Sequence, residues 1–155
     1  MLAVIVVLLA IERMLPPMPF LPPHFKLGLS NIIVMFAILF IGSKEAFTLG
    51  ILKSFFNVLM RGTVGGLISL SGGMLSIAAI ALLMHITKRR ITVVSLSIVG
   101  ALFHNIGQLF MASFVLSSPY LLVGYMPVLL VVGVIVGILT GIAAKIIMPV
   151  FKQIY

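Results

Sequence analysis

Three groups of polar residues interrupt the long apolar runs of this 155-residue chain, and any chemistry it performs must draw on them. His104, Asn105 and Gln108 fall within five residues. On a helix, His104 and Gln108 lie one turn apart on one face, with Asn105 adjoining and Gly100, Ala101 and Ala112 continuing a narrow stripe. Lys53, Asn57 and Arg61 recur at i+4 steps on a second face, with Gly50 just before them. Lys26, Ser30 and Asn31 form the third group; Ser30 and Asn31 could cap a helix and aim its backbone amides at an anion, while Lys26 reads most simply as an interfacial anchor. An imidazole, amides and ammonium groups can hold an anionic or polar small molecule by hydrogen bonding. The competing reading is interhelical glue. Three strong hydrogen-bonding side chains in so short a stretch exceed what packing usually needs, which favours a ligand-facing wall. Lys53 lies some eight residues from either end of its apolar run, deep for snorkelling, and it needs an anion. The sequence offers Glu45, two turns away, and Glu12, so an anionic ligand, a partner subunit or a water-filled cavity is expected there, against a lysine reaching the interface along a tilted helix.

Much chemistry is excluded by composition. There is no aspartate and no cysteine, which removes aspartate-held magnesium, Asp-containing triads, thiolate catalysis, disulfides and Cys-ligated metal centres. There is no P-loop, so any ATP hydrolysis must come from other subunits. The expectation is a protein that is not an enzyme, with no cofactor and no metal site. The formal charge of +8 comes from ten Lys/Arg against two carboxylates. These cations are spread thinly and form one short run, Lys88-Arg89-Arg90, which argues against nucleic acid and for topology signals in membrane loops.

The elements that would position these groups are membrane helices. The chain is 63% hydrophobic and 8% charged, and its mean hydropathy is +1.39, a composition that a water-facing surface cannot cover. Six spans are read at about Met1 to Leu15, Leu27 to Ile41, Ala46 to Met60, Val64 to Met84, Thr92 to Leu116 and Tyr125 to Met148. The first is short, and a signal peptide competes with it; no basic flank precedes the run and no small-residue cleavage site follows. Pro16 to Pro23 holds five of the eight prolines, so it reads as an extended connector or lid. Gly42-Ser43-Lys44, Arg61-Gly62 and Ser117-Ser118-Pro119 break the chain into hairpins. With a cytoplasmic amino terminus the inner connections hold six cations and the outer three, which places both termini inside. Gly133, Gly137 and Gly141 form a small-xxx-small ridge for close helix packing. Small residues also crowd the fourth span, where Gly72-Gly73 could break the helix and expose backbone to a ligand. Continuous apolar runs exclude a β-barrel. The chain reads as one domain.

In order along the chain, Lys26-Leu27-Gly28-Leu29-Ser30-Asn31, Ser71-Gly72-Gly73-Met74-Leu75-Ser76 and His104-Asn105-Ile106-Gly107-Gln108-Leu109 resemble the Gx transporter family, often called heptaprenyl diphosphate synthase component I. Its members are small bacterial membrane proteins similar to the S components of energy-coupling-factor transporters. The resemblance implies a compact six-transmembrane-helix bundle in the bacterial cytoplasmic membrane. It further implies an outward cavity closed by the connector, and partners comprising a transmembrane coupling protein and ATPase subunits. Lys26, Asn31, the Gly72-Gly73 pair, His104, Asn105 and Gln108 would be its characteristic positions. S components dock through alanines three residues apart on the first helix, whereas Ala3 and Ala10 are seven apart here. The expected function is capture or transport of a small anionic or amphipathic molecule such as a vitamin, cofactor precursor or isoprenoid phosphate, with Lys53 and Asn57 added to the binding set. The alternative is a non-catalytic accessory or scaffold subunit, including one of a polyprenyl diphosphate synthase; prenyl transfer uses aspartate-held magnesium that this chain does not supply.

Overall fold

The computed structural model describes residues 31–88 and 90–154 together with Val7, Ala10 and Ile11; the side chains of residues 61, 121, 148 and 150–154 lie outside that description. The described residues are helical with short connections, and none is in a strand. The elements are α1 (Asn31–Phe40), α2 (Ser43–Ile86), α3 (Val93–Val115) and α4 (Tyr120–Ile154). The proline-rich connector, Lys26 and both Glu12 and Arg13 lie outside the described residues, as does most of the first expected span.

Although the helical assignment runs unbroken through α2, Gly62 takes φ +79° and ψ 175°, a region open essentially to glycine alone. The chain reverses there. Asn57 and Ser69 hydrogen bond at 2.7 Å, although twelve residues of straight helix would hold them about 18 Å apart. A Cβ on Gly66 would lie 3.1 Å from Val58 Cα, and one on Gly50 2.8 Å from Ile77 Cδ1. So α2 is a tight antiparallel pair, an N-terminal limb over 43–61 and a C-terminal limb, Gly62–Ile86.

Among the described residues three helices are long and apolar enough to cross a membrane: Gly62–Ile86, Val93–Val115 and Leu122–Ile147. Of the six expected spans, the last three are supported in this way. The described part of α1 is ten residues long. The N-terminal limb of α2 carries Lys44, Glu45, Lys53 and Arg61, too much charge for an apolar span of its length. α1 is instead the centre of the bundle. Ile32, Ile33, Val34, Met35, Phe36, Ala37 and Ile38 are all buried, so every side of the helix is covered. Ile33, Val34, Ala37 and Ile38 pack with Ala46, Ile77, Ile80, Met84 and Leu96 from α2 and α3, while Ile32, Met35 and Phe36 meet Ala144 of α4.

Lipid tails offer helices no hydrophobic gain on association, so close packing and hydrogen bonds must hold the rest together. A Cβ on Gly137 would sit 2.6 Å from Ile98 Cα, on Gly141 2.8 Å from Val94 Cα, and on Gly133 3.0 Å from Asn105 Nδ2. These three glycines thus let α4 lie directly on α3. Gly72 and Gly107 do the same between α2 and α3. A Cβ on Gly107 would fall 2.9 Å from Gly72 Cα, and Ser71 Oγ donates to the Gly107 carbonyl at 2.9 Å. The sequence allowed a helix break at Gly72-Gly73, and the structure corrects that: the limb stays helical through both, because the close approach of α3 uses Gly72 while the reversal is made at Gly62. α3 begins at Thr92, whose side chain accepts from the Ser95 amide at 3.2 Å, an N-cap.

Candidate functional site

Inside the bundle, α1, both limbs of α2, α3 and α4 enclose a cavity of ≈ 60 Å³. At about 10–15 Å³ for each water it holds roughly four to six of them. α1 contributes Asn31, Ile32, Val34, Met35 and Ile38; the N-terminal limb contributes Gly50, Lys53 and Ser54. The returning limb adds Ser69, Gly73, Ser76, Ile77 and Ile80; α3 adds Ser97, Gly100, Ala101, His104 and Asn105; α4 adds Val132, Val136 and Thr140. Helical spacing explains the stripe on α3, since positions 97, 100, 101, 104 and 105 share one face.

The polar groups divide by role. Lys53 is 6% exposed, and its ammonium donates to Oδ1 of Asn31, which joins α2 to the start of the described part of α1. His104 is buried in α3, and its Nδ1 lies over Gly72 without an ordinary hydrogen bond among the described residues. Asn105 borders the cavity but donates through Nδ2 to the Leu129 carbonyl at 3.0 Å, so part of its amide is spent joining α3 to α4 in the notch left by Gly133. Asn57 stands outside the lining and donates to Ser69 Oγ. Because Ser69 accepts that bond, its own hydroxyl proton is available to the cavity. Gln108 is buried and also stands outside the lining, with Cγ packed on Gly72.

Of the seven residues singled out for binding, four therefore border one cavity: Asn31, Lys53, His104 and Asn105. Asn57 and Gln108 lie behind its wall, and Lys26 lies outside the described residues. Sequence reasoning missed the hydroxyls. Ser54 donates to the Gly50 carbonyl at 2.9 Å, and Ser97 and Thr140 hydrogen bond to each other at 2.8 Å across α3 and α4. The signal for Ser97 was present, since it precedes His104 by seven residues on the same face; Thr140 was hidden between Gly137 and Gly141.

Chemically, the site offers a buried ammonium, hydroxyl donors and an imidazole above an apolar floor. Such a lining can bind an anion by charge-assisted hydrogen bonds. Among the described residues no three His, Cys, Asp or Glu side chains are grouped to hold a metal.

A family model described as heptaprenyl diphosphate synthase component I matches residues 1–147. No curated protein and no solved structure matches the chain.

Proposed function

The chain belongs to the heptaprenyl diphosphate synthase component I family, and on that premise we propose that it is a non-catalytic membrane subunit that binds a small anionic or amphipathic molecule inside its helix bundle. The observation that carries this reading is the buried Lys53 ammonium opening, with Asn31, Ser69 and His104, onto one interior cavity. The small volume favours a compact polar head over a large fused-ring vitamin. In this reading the bundle resembles an S component, with six spans and both termini cytoplasmic, and a coupling protein with ATPase subunits would drive release.

Equilibrium binding of inorganic diphosphate to the purified protein in detergent micelles tests the proposal. The wild type is expected to bind, and Lys53→Met to bind about 10–100-fold more weakly, the worth of a hydrogen bond to a charged group. Equal binding by both proteins would remove Lys53 from the site. No binding of diphosphate or of any other anionic probe by the wild type would sink the proposal.

A second reading is favoured by the family description itself, which names one component of a synthase. There the subunit would hold a catalytic partner at the membrane, and the polar seam would serve packing. Co-purification with a prenyl synthase component that survives Lys53→Met but is lost in a His104→Ala/Gln108→Ala double variant would favour that role.

A further inference from the structure

Among the polar side chains around the cavity, His104 is set apart by its surroundings. Its Nδ1 is buried against the returning limb of α2, 3.0 Å from where a Gly72 Cβ would stand, and makes no ordinary hydrogen bond among the described residues. His104 also borders the cavity. With Nδ1 turned to Gly72, Nε2 is the nitrogen left to meet an occupant. Interhelical glue does not account for this residue. The seam between α2 and α3 is bonded by Ser71 to Gly107, and that between α3 and α4 by Asn105 to Leu129 and Ser97 to Thr140.

The charges around the ring are few. Among the described residues that line the cavity, α2 supplies the Lys53 ammonium, which donates to Asn31 Oδ1, and no carboxylate is present. α1, α4 and the rest of the α3 face add no titratable or charged group to that lining. Glu45 is exposed two turns before Lys53, and His85 is exposed near the end of the returning limb. A second positive charge on His104 would share one small space of low dielectric with Lys53, where like charges repel strongly. An anion between them reverses that sign. The volume suits a compact one: sulfate has five non-hydrogen atoms, against room for about four to six waters. Beside the single positive charge of Lys53, a doubly charged anion leaves one negative charge over at membrane depth, which is costly. A proton on the imidazole cancels it and adds a charged N–H donor to the anion.

We propose that the cavity takes up a compact dianion and a proton together, the anion against Lys53 and the proton on the His104 imidazole. The proposal rests on the binding role argued above and adds the proton as a second ligand. The proton comes from the surrounding water and is accepted by the lone pair of the neutral ring, and no covalent bond to the anion forms. Two positive charges on the protein then meet two negative charges on the ligand. A singly charged anion is balanced by Lys53 alone and carries no proton in.

Sulfate and nitrate test this, because neither titrates near neutral pH. Calorimetric titration of each into the protein in detergent micelles, at pH values from about 6.5 to 8.5 and in two buffers of different ionisation enthalpy, counts the protons taken up. For the wild type, sulfate is expected to carry in close to one proton, with affinity falling by up to about tenfold for each unit rise in pH. Nitrate should bind with no uptake and with little dependence on pH. His104→Gln keeps an amide donor but has no titrating ring, so it should bind sulfate without uptake and at an affinity that no longer varies with pH. Replacing the other two histidines, in His24→Gln and His85→Gln, should leave the proton count as in the wild type. Sulfate binding without proton uptake, uptake that persists in His104→Gln, as it would if Lys53 took the proton, or equal uptake with nitrate would each overturn the inference and leave the binding role standing. So would a wild type that binds diphosphate but not sulfate. The proton count with sulfate needs only the wild type, so the test stands even if His104→Gln does not fold. Failure of the wild type to bind sulfate, nitrate and diphosphate alike would remove the binding role, and this inference with it.

Discussion

Polar side chains at membrane depth in this protein fall into two kinds, and substitution should tell them apart. Asn57 donates to Ser69 from behind the cavity wall, whereas Lys53 borders the cavity itself. Asn57→Ala should cost about 1 kcal/mol of stability, within the range of interhelical hydrogen bonds in membranes. Its diphosphate affinity should change less than about threefold. Lys53→Met should lower binding instead, and because it removes the donor to Asn31 Oδ1 it should also cost about 1–3 kcal/mol of stability. Unfolding in mixed micelles alongside binding measurements checks both. The sequence made Lys53, His104 and Asn31 conspicuous because hydrocarbon penalises such groups. It could not separate Lys53 from Asn57, or His104 from Gln108: a spacing of four residues places two side chains on one face but does not say what stands opposite. Among the described residues Gly72 faces α3 and Gly73 meets no neighbour, a difference decided by the crossing of two helices and not by either residue.

At the scale of elements, close approach of backbones governs the bundle. Gly62 adopts a conformation that other residues reach only under strain, so Gly62→Ala should destabilise the protein by about 1–3 kcal/mol. Thermal unfolding compared with Gly73→Ala would show shifts of opposite sign for the same chemical change. Gly137→Leu should separate α3 from α4, since even its Cβ would fall 2.6 Å from Ile98 Cα; loss of a cysteine crosslink engineered between the two helices would report this. The glycine at Arg61-Gly62 was legible as a break because a hairpin needs one. The ridge of Gly133, Gly137 and Gly141 was legible from its period. The central place of α1 was not. Its apolar sequence fits a lipid-facing span as well as a helix covered on every side, and only the packing of α2, α3 and α4 around it distinguishes them.

For the molecule as a whole, the outer surface is an apolar belt. Phe55 and Leu59 on α2, Phe110 and Phe114 on α3, and Val131, Ile135 and Ile146 on α4 are all exposed. Arginine at Ile135, near the middle of the span Leu122–Ile147, should cost about 2.5–3.5 kcal/mol on insertion. Alanine there should be nearly neutral. A glycosylation-tagged insertion assay reads both. The three long helices do not share one length. The span in α4 has 26 residues, about 39 Å of helix against a hydrocarbon film of about 30 Å. Because three glycines hold α4 flush against α3, it cannot shed the excess by sliding. In a film of that thickness the surplus would have to go into leaning, into a bend at a proline such as Pro127 or into locally stretched lipid. The acyl length of the surrounding membrane thereby becomes a force on the wall that carries Val132, Val136 and Thr140, and ligand affinity should vary with the thickness of the host bilayer.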